Sequence, residues 1–126
     1  MAEPSAAATT CQTIDRSQAF SDLYRLFDDP LTAWESLRPG VGIHRLYTTP
    51  DGRSAALLRY EPGASLPRHR HVGYEQILVL AGSQEDDHGS YNAGALIVHP
   101  PGSSHAIRSA TGCTVLAIWE QPVVFE

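Results

Sequence analysis

Residues 63–83 read GASLPRHRHVGYEQILVLAGS, and residues 94–105 read GALIVHPPGSSH. The first segment has the spacing G-x5-H-x-H-x3-E-x6-G, which contains His69, His71 and Glu75. The second has the spacing G-x5-P-x-G-x2-H and ends in a further histidine. Imidazole and carboxylate groups are common ligands of zinc, iron, manganese and nickel. The two segments together therefore predict a site for one divalent metal ion per chain.

The spacing also predicts that these side chains share one face. His69, His71 and Glu75 are separated by even numbers of residues, so on an extended strand they point to the same side. His105 ends the second segment, which we expect to lie beside the first. A tetrahedral zinc ion would be closed by these four ligands, whereas an octahedral iron or manganese ion would keep two positions open.

The chain after residue 40 has the pattern of an all-β domain. Short apolar or alternating runs are separated by turn residues such as Pro50-Asp51-Gly52. About eight such runs at nearly regular spacing predict a jelly-roll sandwich or small barrel. The final run, residues 122–125, is expected either to close the chain's own sheet or to contact a second copy in a homodimer.

A small pocket is expected beside the predicted ligands. Ile77 and Val79 share the parity of Glu75 and should face the interior. Tyr60 and Trp119 are candidates for its aromatic walls. A pocket of this kind suits a small, partly apolar molecule with an oxygen donor.

The N-terminal third predicts one or two short helices. Apolar residues recur at helical spacing, namely Phe20, Leu23, Tyr24 and Phe27. Asp15 or Ser17 is expected to cap this helix, Pro30 to end it, and residues 31–37 to add another turn.

The expected organisation is a single domain with a short leader. A disordered tail is predicted over residues 1–15 and the domain over residues 16–126. Within the domain we expect a helical lead-in over residues 16–39 and the β-barrel over residues 40–126.

Composition excludes several functional classes. The chain of 126 residues has a net charge of −5 and its 9 basic residues are all arginine, so a lysine Schiff base is impossible. The acidic balance argues against nucleic acid as a partner. No apolar run reaches the roughly 20 residues of a membrane span. The first ten residues lack the features of a signal peptide, and a cytoplasmic location is expected.

With their glycines and prolines in register, the two segments resemble the two motifs of the cupin superfamily. Residues 62–105, followed by Gly112-Cys113, are similar to the ChrR-type cupins. This group includes the C-terminal half of a zinc-binding anti-sigma factor. The resemblance covers roughly residues 34–120. It implies a cupin β-sandwich in which the three histidines and the glutamate bind a metal, often zinc.

The chain departs from these relatives at several positions. Ser109 replaces a frequent asparagine, and Gln76 replaces a second acidic residue, but neither position is expected to bind metal. The relatives carry an N-terminal zinc domain that binds the sigma factor. Here Cys11 is the only cysteine, and His44 the first histidine, of the N-terminal region. An anti-sigma role is therefore not carried over.

Three kinds of function remain open. The first is a metal-dependent enzyme, either a dioxygenase or a related lyase or isomerase, that acts on a small oxygenated metabolite. The second is a zinc-binding sensor that passes a signal to a protein partner. The third is a purely structural metal site. The other histidines, His44, His88 and His99, are expected to be ordinary, although His99 lies close enough to His105 to support a ligand.

Overall fold

The computed structural model describes residues 12–126 of the chain. Within this range it contains one helix, α1 (Leu23–Asp28), and eleven strands. In chain order the strands are β1 (Gln12–Thr13), β2 (Glu35–Arg38), β3 (Val41–Thr48), β4 (Ser54–Tyr60), β5 (Ala64–Arg70), β6 (Glu75–Asp86), β7 (Gly89–Asn92), β8 (Leu96–His99), β9 (Ser104–Ser109), β10 (Cys113–Trp119) and β11 (Val124–Phe125).

The strands form one curled sheet, and the predicted all-β jelly-roll class is confirmed. The hydrogen-bonded order is β11-β5-β9-β6-β10-β4-β3-β1. Strand β2 also pairs with β3, while β7 and β8 pair with β6. All pairings are antiparallel except that of β1 with β3. The 12-residue β6 links the two halves, because its first part pairs with β8 and β10 and its last part with β7 and β9.

The described helix is shorter than the predicted one. It begins at Leu23, because the side chain of Asp22 accepts the backbone N–H of Arg25. Asp15 and Ser17, the predicted caps, lie well before this turn, so that prediction is wrong. No helix in residues 12–126 has the length and apolar character needed to cross a membrane.

The second helical turn, predicted over residues 31–37, is also wrong. Glu35–Arg38 form β2, which makes a hairpin with β3. Gly40 has a φ of 78°, and its left-handed conformation lets the chain reverse there. Pairing with an adjacent strand therefore overrides the local helical pattern.

A short strand lies within the last part of the predicted tail. Gln12–Thr13 pair in parallel with Tyr47–Thr48, although residues 1–15 were expected to form a tail. Residues 1–11 of that expected tail lie outside the described residues.

The core lies on the concave side of the sheet. Ile77 and Val79 are each 1% exposed, which confirms their predicted inward direction. They pack with inward residues of neighbouring strands, including Ile43, Leu58 and Val115. Glu75 belongs to the same alternating row of β6, and the fold therefore directs its carboxylate into the interior.

Gly82, which ends the first motif, and Gly94, which begins the second, offer a matched test of this fold. Gly82 and Gly94 both have positive φ, 76° and 96°. A Cβ at Gly82 would overlap the carbonyl oxygen of Gly112, whereas a Cβ at Gly94 meets nothing within 4 Å. We predict that Gly94→Ala lowers the free energy of unfolding by about 1–2 kcal/mol, from backbone strain alone. Gly82→Ala should lower it by at least about twice as much, as measured by urea denaturation. Equal losses for the two variants would contradict the predicted packing of Gly82.

Candidate metal centre

Strand register brings the predicted ligands together. His69 on β5 pairs directly with His105 on β9. Glu75, the first residue of β6, pairs with His99 on one side and with Trp119 on the other. All of these side chains except Trp119 are at most 7% exposed. The register thus gathers ligand-type side chains from four strands at one end of the interior.

His71 lies just beyond β5 and is held by the loop before β9. Its backbone N–H donates to the carbonyl of Ser103 at 2.8 Å, and its carbonyl accepts from Gly102 at 2.8 Å. The side chain is 1% exposed and points to the same side as His69, as its parity predicted. Backbone hydrogen bonds to this loop, rather than pairing with a neighbouring strand, therefore position His71.

Hydrogen bonds at Nδ1 set the tautomers of His69 and His105. The Nδ1 of His69 lies 2.9 Å from the carbonyl oxygen of Pro67, and the Nδ1 of His105 lies 3.0 Å from Oδ2 of Asp86. Carbonyl and carboxylate oxygens only accept, so both Nδ1 atoms carry the hydrogen. In each neutral ring the lone pair is then on Nε2, directed away from these partners.

A hydroxyl relay sets the tautomer of His71 in the same way. Ser103 Oγ donates to the carbonyl oxygen of Pro100 at 2.6 Å. The same Oγ lies 2.9 Å from Nδ1 of His71, and having used its hydrogen it accepts from that nitrogen. The Nε2 of His71 therefore also presents a lone pair to the interior.

These nitrogens converge on the carboxylate of Glu75. Its Oε1 lies 3.0 Å from Nε2 of His71, 3.9 Å from Nε2 of His105 and 4.0 Å from Nε2 of His99. These four atoms are buried and have no hydrogen-bond partner among the described residues. In the neutral tautomer of His71, the short approach of its Nε2 to Oε1 joins two electron-pair donors. Such an arrangement is unfavourable unless a cation lies between them.

The other oxygen of Glu75 is held by the protein. Its Oε2 accepts a hydrogen bond from the indole Nε1 of Trp119. Burial acts to raise the pKa of Glu75, but the neighbouring His71 and the Trp119 N–H lower it overall. The carboxylate is therefore ionised in the interior, with one oxygen fixed and the other free to bind.

Two of the surrounding imidazoles, His69 and His99, are poorly suited to supply the balancing charge. Burial lowers the pKa of His69, and burial together with His105 lowers the pKa of His99 to about 4. Within residues 12–126 every ion-pair partner of Glu75 is a histidine, and none is an arginine. The charge of the site is therefore best balanced by a bound cation.

The donor set fits a transition-metal ion. Histidine nitrogens and carboxylate oxygens bind zinc at about 2.0–2.2 Å, so two ligand atoms of one ion lie roughly 3–4.3 Å apart. Ring-nitrogen and carboxylate atoms of this cluster lie within 4.8 Å of one another in each of two groups. The groups are His69, His71 and His105, and Glu75, His99 and His105. The buried cluster is thus able to bind a metal ion.

An apolar cavity of about 370 Å³ leads to this cluster. His69, Glu75 and Trp119 line its inner end. Its walls are mainly aliphatic and aromatic, with Ile43, Leu58, Leu66, Ile77, Ile107 and Phe125 among them. Trp119 thus forms part of the wall as predicted. Tyr60 does not, because it packs in the core opposite Cys113 and Val41.

The sequence did not identify every residue of the site. His99 was expected to be ordinary or, at most, to support a ligand, but it joins the cluster because β8 pairs with the start of β6. Asp86 and Ser103, which orient ligands, were not singled out. The only signal for Asp86 was its position before His88-Gly89, whose backbone N–H groups donate hydrogen bonds to its carboxylate at 2.8 and 3.2 Å.

His44 and His88 lie outside the cluster, as expected. The ring of His44 packs against Trp34, and its Nδ1 lies 2.8 Å from the carbonyl oxygen of Ala33. His88 is exposed in the turn between β6 and β7.

The curled sheet and the buried histidine–carboxylate cluster at one end define a cupin. A comparison of solved structures agrees with this class. An RmlC-like cupin protein from Ralstonia eutropha superposes with a TM-score of 0.67 and 22% identity, over 73% of this chain and 65% of that chain. An acetylacetone dioxygenase from Acinetobacter johnsonii superposes with a TM-score of 0.71 and 16% identity, over 90% and 79% of the two chains.

Within the cupins, the chain belongs to the ChrR cupin-like domain family, whose sequence profile matches residues 26–122. The crystal structure of Rhodobacter sphaeroides SigE in complex with the anti-sigma ChrR is similar, with a TM-score of 0.65 and 28% identity over 71% of this chain. The chain spans 50% of the length of that matched chain. No curated protein sequence matches this chain.

The link between Asp86 and His105 can be tested by substitution. Asp86→Asn removes the negative charge that makes Nε2 of His105 a better electron-pair donor to a metal. We therefore predict a loss of zinc affinity of about 10–100-fold. Competition with a coloured chelator measures this loss. Asp87→Asn is the matched control, because Asp87 pairs with Arg68 at the surface and does not contact the cluster. An affinity unchanged by Asp86→Asn, or equally lowered by Asp87→Asn, would contradict this role.

Proposed function

We propose that His69, His71, Glu75 and His105 bind one divalent transition-metal ion per chain. The observation that carries this proposal is that Nε2 of His71, Nε2 of His105 and Oε1 of Glu75 are buried without partners, while a ring nitrogen of His69 lies within 4.8 Å of those of His71 and His105. In a metal-free interior each such atom costs free energy, of the order of 1–3 kcal/mol. A bound ion would satisfy all of them at once.

Zinc and iron are the proposed ions, with manganese and nickel as further candidates. Imidazole nitrogen suits zinc, iron and nickel, and the single carboxylate also permits manganese. The ligand set alone does not select among them. The cavity reaches the cluster between His69 and Glu75, so any exchangeable coordination position would face that side.

We infer that the chain is a metal-dependent enzyme of the dioxygenase type, or a related lyase or isomerase, acting on a small oxygenated metabolite. A bound ion would polarise a substrate oxygen or activate dioxygen. The cavity supports this reading, because a volume of about 370 Å³ accommodates a small organic molecule next to the ligands. A site serving only stability would not need such access.

The residues around the proposed ion would have separate roles. The apolar walls, including Ile77 and Phe125, would bind the carbon skeleton and exclude water. Trp119 holds Glu75 through Oε2 and would keep Oε1 directed to the ion. Asp86 would stabilise positive charge on the ring of His105.

A zinc-binding sensor is the alternative function. Membership of the ChrR cupin-like family supports it, and so does the similarity to a chain in the SigE–ChrR complex. Under this alternative, a ligand or oxidant that reaches the cavity would alter contacts with a protein partner. Recovery of a specific partner, together with a lack of turnover by every metal form, would favour the sensor.

Two further expectations stay proposals. Val124–Phe125 pair with Arg70 and His69 of the same chain, and therefore close its own sheet. The outer edge of this strand is the proposed contact in a homodimer. The cytoplasmic location expected from the sequence also stays a prediction.

Access through the cavity gives a test of the enzyme proposal. Val123 lines the cavity and is partly exposed, so Val123→Trp should fill its opening without touching the ligands. The iron(II)-loaded wild-type protein should consume oxygen, or convert at least one compound, when given diketones, catechols and hydroxy acids. We predict that Val123→Trp retains its metal and raises KM by roughly tenfold or more.

Val124→Trp is the matched control, because Val124 is 43% exposed and does not line the cavity. Its metal content and KM should equal those of the wild type. A wild-type protein that binds iron but converts none of these compounds would contradict the enzyme proposal. An equal effect of both substitutions would contradict access through this cavity.

A further inference from the structure

His99 occupies a position that ordinary packing does not explain. It ends β8 and pairs with Glu75, and only 7% of it is exposed. Its Nε2 is buried and has no hydrogen-bond partner among the described residues. The nearest carboxylate oxygen, Oε1 of Glu75, is 4.0 Å away, which is too far for a hydrogen bond.

The ring of His99 is held by the rings of two predicted ligands. It stacks on His71 with a centroid distance of 4.7 Å and an interplanar angle of 15°. It also meets His105 edge to face, with a centroid distance of 4.3 Å. These contacts direct the ring into the cluster, and a ring nitrogen or oxygen from each of Glu75, His99 and His105 lies within 4.8 Å of the others.

We propose that His99 is a fourth imidazole ligand of the metal ion, bound through Nε2. This inference rests on the proposed metal site and adds a residue that the motif spacing does not contain. The Nε2 of His99 is as poorly satisfied as those of His71 and His105, and it faces the same carboxylate oxygen. A shared ion gives all three nitrogens a partner.

A fifth protein ligand changes what the centre can accept. An octahedral ion bound by His69, His71, Glu75, His99 and His105 would keep one open position. His69 and Glu75 line the cavity through which a substrate would reach it. A substrate would then bind the ion through a single oxygen atom. A diketone or catechol would not chelate it with both oxygens.

The ligand count can be read by proton NMR of the protein loaded with Co²⁺ alone. A histidine bound to paramagnetic Co²⁺ gives its own set of strongly shifted ring resonances. We predict four such sets in the wild type and the loss of one set in His99→Gln. His99→Gln should also lower Co²⁺ affinity by at least about tenfold, measured by chelator competition.

His88→Gln is the control, because His88 is exposed in the turn and should leave both the spectrum and the affinity unchanged. Three shifted sets in the wild type, all of them retained in His99→Gln, would overturn the role of His99 while leaving the metal site intact. A wild-type protein without any shifted set would instead overturn the proposed metal site itself.

Discussion

The fold buries one ionised carboxylate, that of Glu75, against the ring nitrogens of neighbouring histidines. Glu75 is 3% exposed, and its Oε1 has no hydrogen-bond partner in the described part of the chain. A charge in a dry interior is unfavourable by several kcal/mol unless it is paired. The Nδ1 hydrogen bonds of His69, His71 and His105 leave Nε2 of each neutral ring as an electron-pair donor. A cation resolves this conflict, and a fold that preserves these positions has to accommodate one.

The orientation of the ligands is built into the backbone that forms the sheet. His69 bonds to the carbonyl of Pro67 two residues earlier on the same strand. Asp86 both caps the turn after β6 and accepts from His105. Ser103 joins the side chain of His71 to the loop before β9. The turns that connect the strands therefore also orient the ligands. Substitutions in these turns should alter the position of the ligand side chains.

Periodicity along one strand was readable from the sequence, whereas pairing between strands was not. The parity of Glu75, Ile77 and Val79 correctly predicted their common inward direction, because side chains alternate along β6. His99 has no such signal, since it enters the cluster only through the register of β8 with β6. The hairpin of β2 with β3 similarly overrode a helical pattern at residues 31–37. Tyr60 was expected in the wall of the cavity, but strand pairing places it in the core opposite Cys113 and Val41.

Imidazole and carboxylate donors are proposed to hold one divalent ion in this cluster. Elemental analysis of protein purified without added metal tests this proposal most directly, when wild type is compared with the double variant His69→Ala/His105→Ala. The wild type should contain close to one equivalent of transition metal per chain, and the folded double variant almost none. Equal metal content in the two proteins would contradict the proposal.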